Sequence, residues 1–329
     1  LSSFNFKGVP LSLINAGFIP VFVDADKQTF QMDINKIEEK IDGDTKAIIA
    51  THLFGQPCSL KPIENLAKKH NLHIVEDCAH ALGAFYGNGH VGVFGKAGFF
   101  SLTASKTINT SFGGVVVTND TILAAKIRTR VSRNGFPDDG YVIKKRLMTY
   151  IYSLLTDRTF YSVTQHPLSA LMALFGLDLW EVAKKRRPDK TTNIATRLCN
   201  LQASAGLRQI AMVEDVVSTR RRNARILVDN LDKSIRIQKV IPEAVPSYFM
   251  FPIIAENKAL FYKKLLLGGV DTNSSYITDC SHLVENSFSP NARFLEDSIL
   301  GIHLPFNLRK CEVLSLAEII NRAFRRHER

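Results

Sequence analysis

Three residue types in one stretch could do chemistry together. Asp77 ends an apolar run, His80 stands three residues further on, and Lys106 closes a Ser-rich turn that also holds Ser101 and Ser105. A carboxylate, an imidazole and an amine suit a cofactor with a basic ring nitrogen and an aldehyde. The carboxylate keeps the ring nitrogen protonated, so that the ring draws off electrons; the flat imidazole stacks; the lysine holds the aldehyde. Asp77, His80 and Lys106 match those roles, and Ser101 with nearby backbone N–H groups suits a phosphate. Pyridoxal phosphate has all of these parts. The residue types alone leave a plainer reading open. A strand ending in Glu-Asp occurs in many α/β proteins, and an isolated Ser-Lys also belongs on a surface.

The surrounding text narrows the choice. PVFVDAD (20–26), TKAIIATHLFGQP (45–57), VEDCAHALGA (75–84), GFFSLTASK (98–106) and GGVVVTND (113–120) follow in one order. This resembles the DegT/StrS family of sugar aminotransferases, fold-type-I pyridoxal phosphate enzymes. The likeness covers about residues 16–135, resumes at 197–210 and is weaker at 295–307. It implies a catalytic and cofactor-holding Lys106, with Asp77 on the ring nitrogen, His80 on the ring and Ser101 on the phosphate. It also implies a homodimer that moves an amino group, with glutamate the usual donor, onto the keto group of a nucleotide-linked deoxysugar. The product would feed polysaccharide or other glycoconjugate synthesis.

Three departures stand out. The family carries a Ser/Gly-Thr-Ala phosphate loop upstream, and nothing in residues 1–18 matches it, so a preceding segment is expected. The family's partner-subunit Asn falls at Ala195 here; Asn193, two residues earlier, is the candidate substitute, on the substrate side. Phe112 stands before Gly113-Gly114 where the family often has Glu. Thr51, His52 and Gln56 follow a strand and are candidates for the substrate's vicinity, with strand-end packing the equal alternative. No metal ligand set is expected.

The elements that position these residues follow from periodicity. Residues 9–17 read as a helix end and Ile19–Asp24 as a strand. Ile34, Ile37, Glu38 and Ile41 predict a short amphipathic helix. Thr45–Thr51 is a continuous apolar run suited to a strand buried on both faces, Leu60–His70 a crossover helix and Leu72–Glu76 the next strand. Such βαβ units belong to doubly wound sheets, which place ligands beyond the carboxyl ends of the strands, where Asp77 falls. Gly98–Leu102 and Gly114–Thr118 predict a strand pair with Lys106 between them, and Asp120 caps a helix to Arg133. Residues 194–231 read as one long helix with a break near Val213; its Arg220-Arg221-Arg222 run is placed on the outer face. Strands at Ile235–Ile241 and Tyr248–Ala255, a helix at Asn257–Leu267 and a closing helix at Glu312–Phe324 complete the reading. The fold expected is α/β: a three-layer doubly wound large domain over 1–210 and a smaller α/β domain over 211–329.

Residues 136–192 break the pattern. Lys144-Lys145-Arg146 and Lys184-Lys185-Arg186-Arg187 bracket an apolar, aromatic segment. It is too interrupted to span a bilayer. It reads as a helical insertion covering a dimer interface or the site mouth, or as an interfacial helix on anionic lipid through 141–190. At 329 residues the chain is long enough for a large domain and a smaller one, and its net charge of +11 suits phosphorylated substrates or anionic lipid. No zinc-finger or RNA-binding pattern accompanies that charge, so nucleic acid is the weakest partner class. Five scattered cysteines make no disulfide framework, and with no signal peptide a cytoplasmic place is expected. Three other readings remain: a related dehydratase, against which the retained lysine speaks; a catalytically silent regulatory relative, membrane-attached through 141–190; and an enzyme acting on a lipid-linked sugar, which the apolar, basic-flanked insertion would explain.

Overall fold

A computed structural model describes residues 1–175, 196–273 and 277–325. Asn193, Ala195 and the 184–187 basic run lie outside the described residues.

A short helix, α1 (Gly8–Asn15), opens the chain. The central sheet follows: strands β1 (Ala47–Thr51), β2 (His73–Asp77), β3 (Ala97–Ser101) and β4 (Gly114–Val117) lie side by side in that order. The first three are parallel, and β4 runs antiparallel to β3. The crossover from β1 to β2 is helix α2 (Leu60–Lys69), whose buried Leu60, Ile63 and Ala67 recur every three or four residues. That stripe packs with Ile48 and Ala50 of β1 and Ile74 of β2, which is what fixes the helix against the sheet. Thr51, Asp77 and Phe99 stand in register across the three parallel strands, so Asp77 reaches the carboxyl edge of the sheet.

After β4 comes α3 (Thr121–Ser132), where the Asp120 side chain accepts the Leu123 N–H at 2.9 Å, the cap the sequence predicts. Three helices follow, α4 (Asp139–Leu155), α5 (Arg158–Val163) and α6 (Gln165–Leu174). The long helix of 194–231 is two, α7 (Asn200–Ile210) and α8 (Val213–Asn230), broken where expected. The carboxy-terminal part contains β5 (Phe251–Ile254), α9 (Lys258–Leu267), α10 (Pro290–Ser298), β6 (Ile299–Ile302) and α11 (Lys310–Arg325). Strands β5 and β6 pair antiparallel. Leu227, Phe251, Ile253, Phe261, Leu265, Leu300 and Ile320 form their core. A further cluster joins Phe4, Phe30 and Phe54 to Phe249, Ile254 and Leu295, so the two parts of the chain share packing.

Three expected elements differ. Ile19–Asp24 is no ladder strand: Ile19 is 83% exposed, and only Val23 makes a bridge, to Ser2. The helix over 34–41 is two separate 3₁₀ turns, the first capped by Asp33. Ile235–Ile241 forms no ladder with β5, only the isolated Ile237–Ile253 bridge, and its Lys239 N–H and Gln238 side chain donate instead to Gln28 and Thr29 carbonyls.

Candidate active site

Each of three elements delivers one group. Strand β2 ends in Asp77, the turn after it carries His80, and the β3–β4 connection carries Lys106. That connection is closed by two backbone bonds, Leu102 N–H to Gly113 O and Thr110 N–H to Leu102 O, each 2.9 Å. All three side chains are buried, at 3%, 6% and 9% exposure.

Asp77 Oδ1 accepts the Ala79 N–H at 3.1 Å. Burial pushes its carboxyl above the usual range, while that N–H and the nearby His52 and Lys106 pull back. No ion pair holds Asp77 among the described residues. A cationic partner is therefore what this carboxylate still wants. Burial also brings the Lys106 amine down to about 8, with Asp77 opposing. An amine so shifted is partly neutral, hence nucleophilic, near neutral pH. His80 Nδ1 accepts the Phe54 N–H at 3.3 Å, which puts its proton on Nε2, and burial with the Lys106 charge keeps the ring neutral.

Phe249, His303 and Arg220 complete the cluster, and the sequence reading did not find them. The Phe249 ring stacks on His80 at 4.5 Å and 17°, and Lys106 Nζ lies 4.6 Å from its centroid. The flat face expected to meet a cofactor thus meets a phenyl ring in this form. His303 stands edge-on to Phe249, and burial with the Arg220 and Lys106 charges lowers it to about 4. Gly55 lets the Phe249 segment approach: its φ is +93°, and an added Cβ would stand 2.6 Å from Phe249 N. A signal for Arg220 was present. It falls three or four residues from the buried Val216, Val217, Asn223 and Ala224, on the inner stripe of α8. The outer-face placement holds for the exposed Arg222 and is corrected for the other two: Arg220 donates to Thr107 Oγ1 at 2.9 Å, and Arg221 to the carbonyls of Gly83 and Pro246.

Ser101 is half-buried at the end of β3, its Oγ 3.2 Å from Thr103 Oγ1, while Ser105 is exposed. Two candidates are not brought to the cluster. His52 is fully buried on the Glu76 side, with Nε2 3.2 Å from Glu76 Oε2 and Nδ1 accepting the Cys58 N–H. Glu76 in turn accepts the Gly92, Phe94 and Gly95 N–H groups, so it is structural. His52, Glu76 and Cys78 lie close enough to share a metal, but these hydrogen bonds already use the histidine and carboxylate lone pairs. Gln56 donates to the Thr29 and Lys239 carbonyls and ties loops together. The physical reason is common to both: a polar side chain buried at a strand end is claimed first by orphan backbone groups.

The donor set fits pyridoxal phosphate. A buried acid with no ion pair among the described residues stands near a low-pKa amine and a neutral imidazole ring, and the Ser101 and Thr103 hydroxyls pair at the end of β3. The sequence profile described as the DegT/DnrJ/EryC1/StrS aminotransferase family matches residues 1–298. GDP-perosamine synthase of Escherichia coli O157:H7 is 30% identical over 238 residues, 72% of this chain and 53% of its own. The dTDP-3-amino-3,6-dideoxy-alpha-D-galactopyranose transaminase of Aneurinibacillus thermoaerophilus is 43% identical over 118 residues, 36% of this chain and 32% of its own. The chain thus spans about half the length, or less, of these curated relatives. Among solved structures, PseC of Helicobacter pylori, an aminotransferase involved in the biosynthesis of pseudoaminic acid, superposes with a TM-score of 0.75. It is 21% identical, with 99% of this chain and 79% of PseC covered, a likeness of fold.

Proposed function

The chain belongs to the DegT/DnrJ/EryC1/StrS aminotransferase family, and on that premise we propose that it is a pyridoxal phosphate-dependent sugar aminotransferase. It exchanges the amino group of an amino acid, glutamate in the first instance, for the keto oxygen of a nucleotide-linked deoxysugar. The products are a 2-oxo acid and an amino sugar. The observation that carries this reading is the convergence of Asp77 and Lys106 beside the His80 ring at the carboxyl edge of the sheet. The scaffold would be a three-layer large domain over 1–210 and a smaller α/β unit over 211–329, paired as a homodimer.

The cofactor, when bound, supplies an electrophilic aldehyde and an electron-withdrawing ring. Asp77 would hold a proton on the ring nitrogen, and the same contact would relieve its own burial. Lys106 would hold the aldehyde carbon and, once displaced by substrate, carry a proton to and from the substrate carbon. Its low pKa lets it accept that proton near neutrality. His80, held neutral, would lie on the ring without adding a competing charge. Ser101 is the hydroxyl proposed for the phosphate. Incubation with nitrogen-labelled glutamate and a set of nucleotide keto-sugars tests the reading. Label recovered in an amino sugar supports it; label retained in glutamate with every sugar tried, while the protein holds cofactor, contradicts it.

A specific observation favours contact with an anionic membrane surface through 141–190. Ile143, Leu147, Met148, Tyr150, Ile151 and Tyr152 of α4 are each at least 45% exposed beside Lys144, Lys145 and Arg146. Consecutive exposed apolar residues cover more of the helix than one packing stripe. No described helix is long and apolar enough to cross a membrane, so the contact would lie in the interface plane. A lipid-linked sugar would then be the acceptor.

A further inference from the structure

Arg220 is a half-buried cation with no carboxylate partner among the described residues. Its Nη1 reaches Thr107 Oγ1 at 2.9 Å, while its Nε is enclosed with no hydrogen-bond partner. Burial alone pulls the guanidinium below its ordinary value, and no described carboxylate offsets it. Leaving such a group unmatched is costly, and folds tolerate that where a ligand supplies the match. The place is informative. Thr107 follows Lys106 directly, and the Arg220 and Lys106 charges both act on His303. His303 stands edge-on to the same Phe249 ring that Lys106 overlies. The guanidinium and the amine therefore border one small region.

We propose that Arg220 receives the α-carboxylate of the amino donor. This rests on the aminotransferase reading and adds the residue that receives the donor's carboxylate. Such a donor carries its carboxylate on the same carbon as the nitrogen that must reach the place of Lys106. A receptor for it has to stand one short side chain away, where Thr107 anchors Arg220. A planar guanidinium with a free Nε offers the two parallel N–H bonds that a carboxylate accepts. The cofactor phosphate is the other anion of suitable chemistry. The Ser101 and Thr103 hydroxyls, paired on the β3 side before Lys106, are the better match for it.

The test compares wild type, Arg220→Gln, Arg220→Lys and Thr107→Val as full chains loaded with pyridoxal phosphate. Glutarate binding is measured calorimetrically, and the half-saturating glutamate concentration is read from loss of the cofactor's visible band. Arg220→Gln is expected to weaken both by about tenfold or more. Thr107→Val should weaken them less, Arg220→Lys should restore part of the loss, and cofactor affinity should hold throughout. Unchanged glutarate and glutamate affinities in Arg220→Gln and Thr107→Val, with a normal cofactor band, would overturn the assignment. So would a loss confined to pyridoxal phosphate and absent with pyridoxal, which would make Arg220 a phosphate ligand. A wild type that forms no cofactor band would instead sink the aminotransferase reading beneath it.

Discussion

At the residue scale the site is governed by what burial does to charge. Lys106 titrates at about 8 in the fold against 10.5 for an ordinary lysine. Between those values the unfolded chain binds the extra proton. Stability of the cofactor-free protein therefore rises as pH climbs from about 8 towards 10.5, and at neutral pH the protonated amine is a penalty. Lys106→Met should be more stable than wild type by about 3 kcal/mol at pH 7, with most of the gap closed by about pH 10. Urea midpoints across that range check it, and a gap that is flat in pH would refute the assigned shift. Asp77→Asn removes the charge that keeps the ring nitrogen protonated. With cofactor supplied in excess, the half-reaction with glutamate should slow by about a hundredfold or more. Wild-type rates in single-turnover traces would take that role from Asp77.

Elements matter here for where they stop. Strand β2 ends at Asp77, and the β3–β4 connection folds Lys106 back over that end. Gly55 holds the approach of the segment that brings in Phe249. Gly55→Ala forces a side chain into a left-handed backbone and against the Phe249 amide. It should destabilise by about 2 kcal/mol or more and weaken cofactor retention, read as a lowered thermal midpoint and a faster loss of bound cofactor. A variant with unchanged midpoint would mean the loop shifts freely. Much of this was legible in the sequence. The parallel strands, the α2 crossover and the Asp120 cap follow from apolar period and capping chemistry, which are local. Asp77, His80 and Lys106 were legible by type and context, and the structure brings them together. Phe249, His303 and Arg220 were not found, because what makes them site residues is contact across more than a hundred positions. The structure gives His52 and Gln56 the strand-end packing that was the equal alternative: His52 is held by Glu76 and the Cys58 N–H, and Gln56 by the Thr29 and Lys239 carbonyls.

For the whole molecule, the basic charge and the exposed apolar helix α4 belong to one question, what this protein rests against. If it is an anionic bilayer, flotation with phosphatidylglycerol vesicles should carry the protein up. Replacing Leu147, Met148 and Ile151 with Glu should leave it at the bottom without disturbing cofactor binding. Flotation unaffected by those changes would rule out α4 as the contact. The central claim is simpler, that Lys106 holds pyridoxal phosphate in a chain that uses it for amino transfer. The most direct measurement is the absorbance spectrum of the protein with added pyridoxal phosphate, beside Lys106→Ala. The account predicts a visible band that glutamate bleaches and that Lys106→Ala does not form. A band equally present in Lys106→Ala, or no band in the wild type, would contradict it.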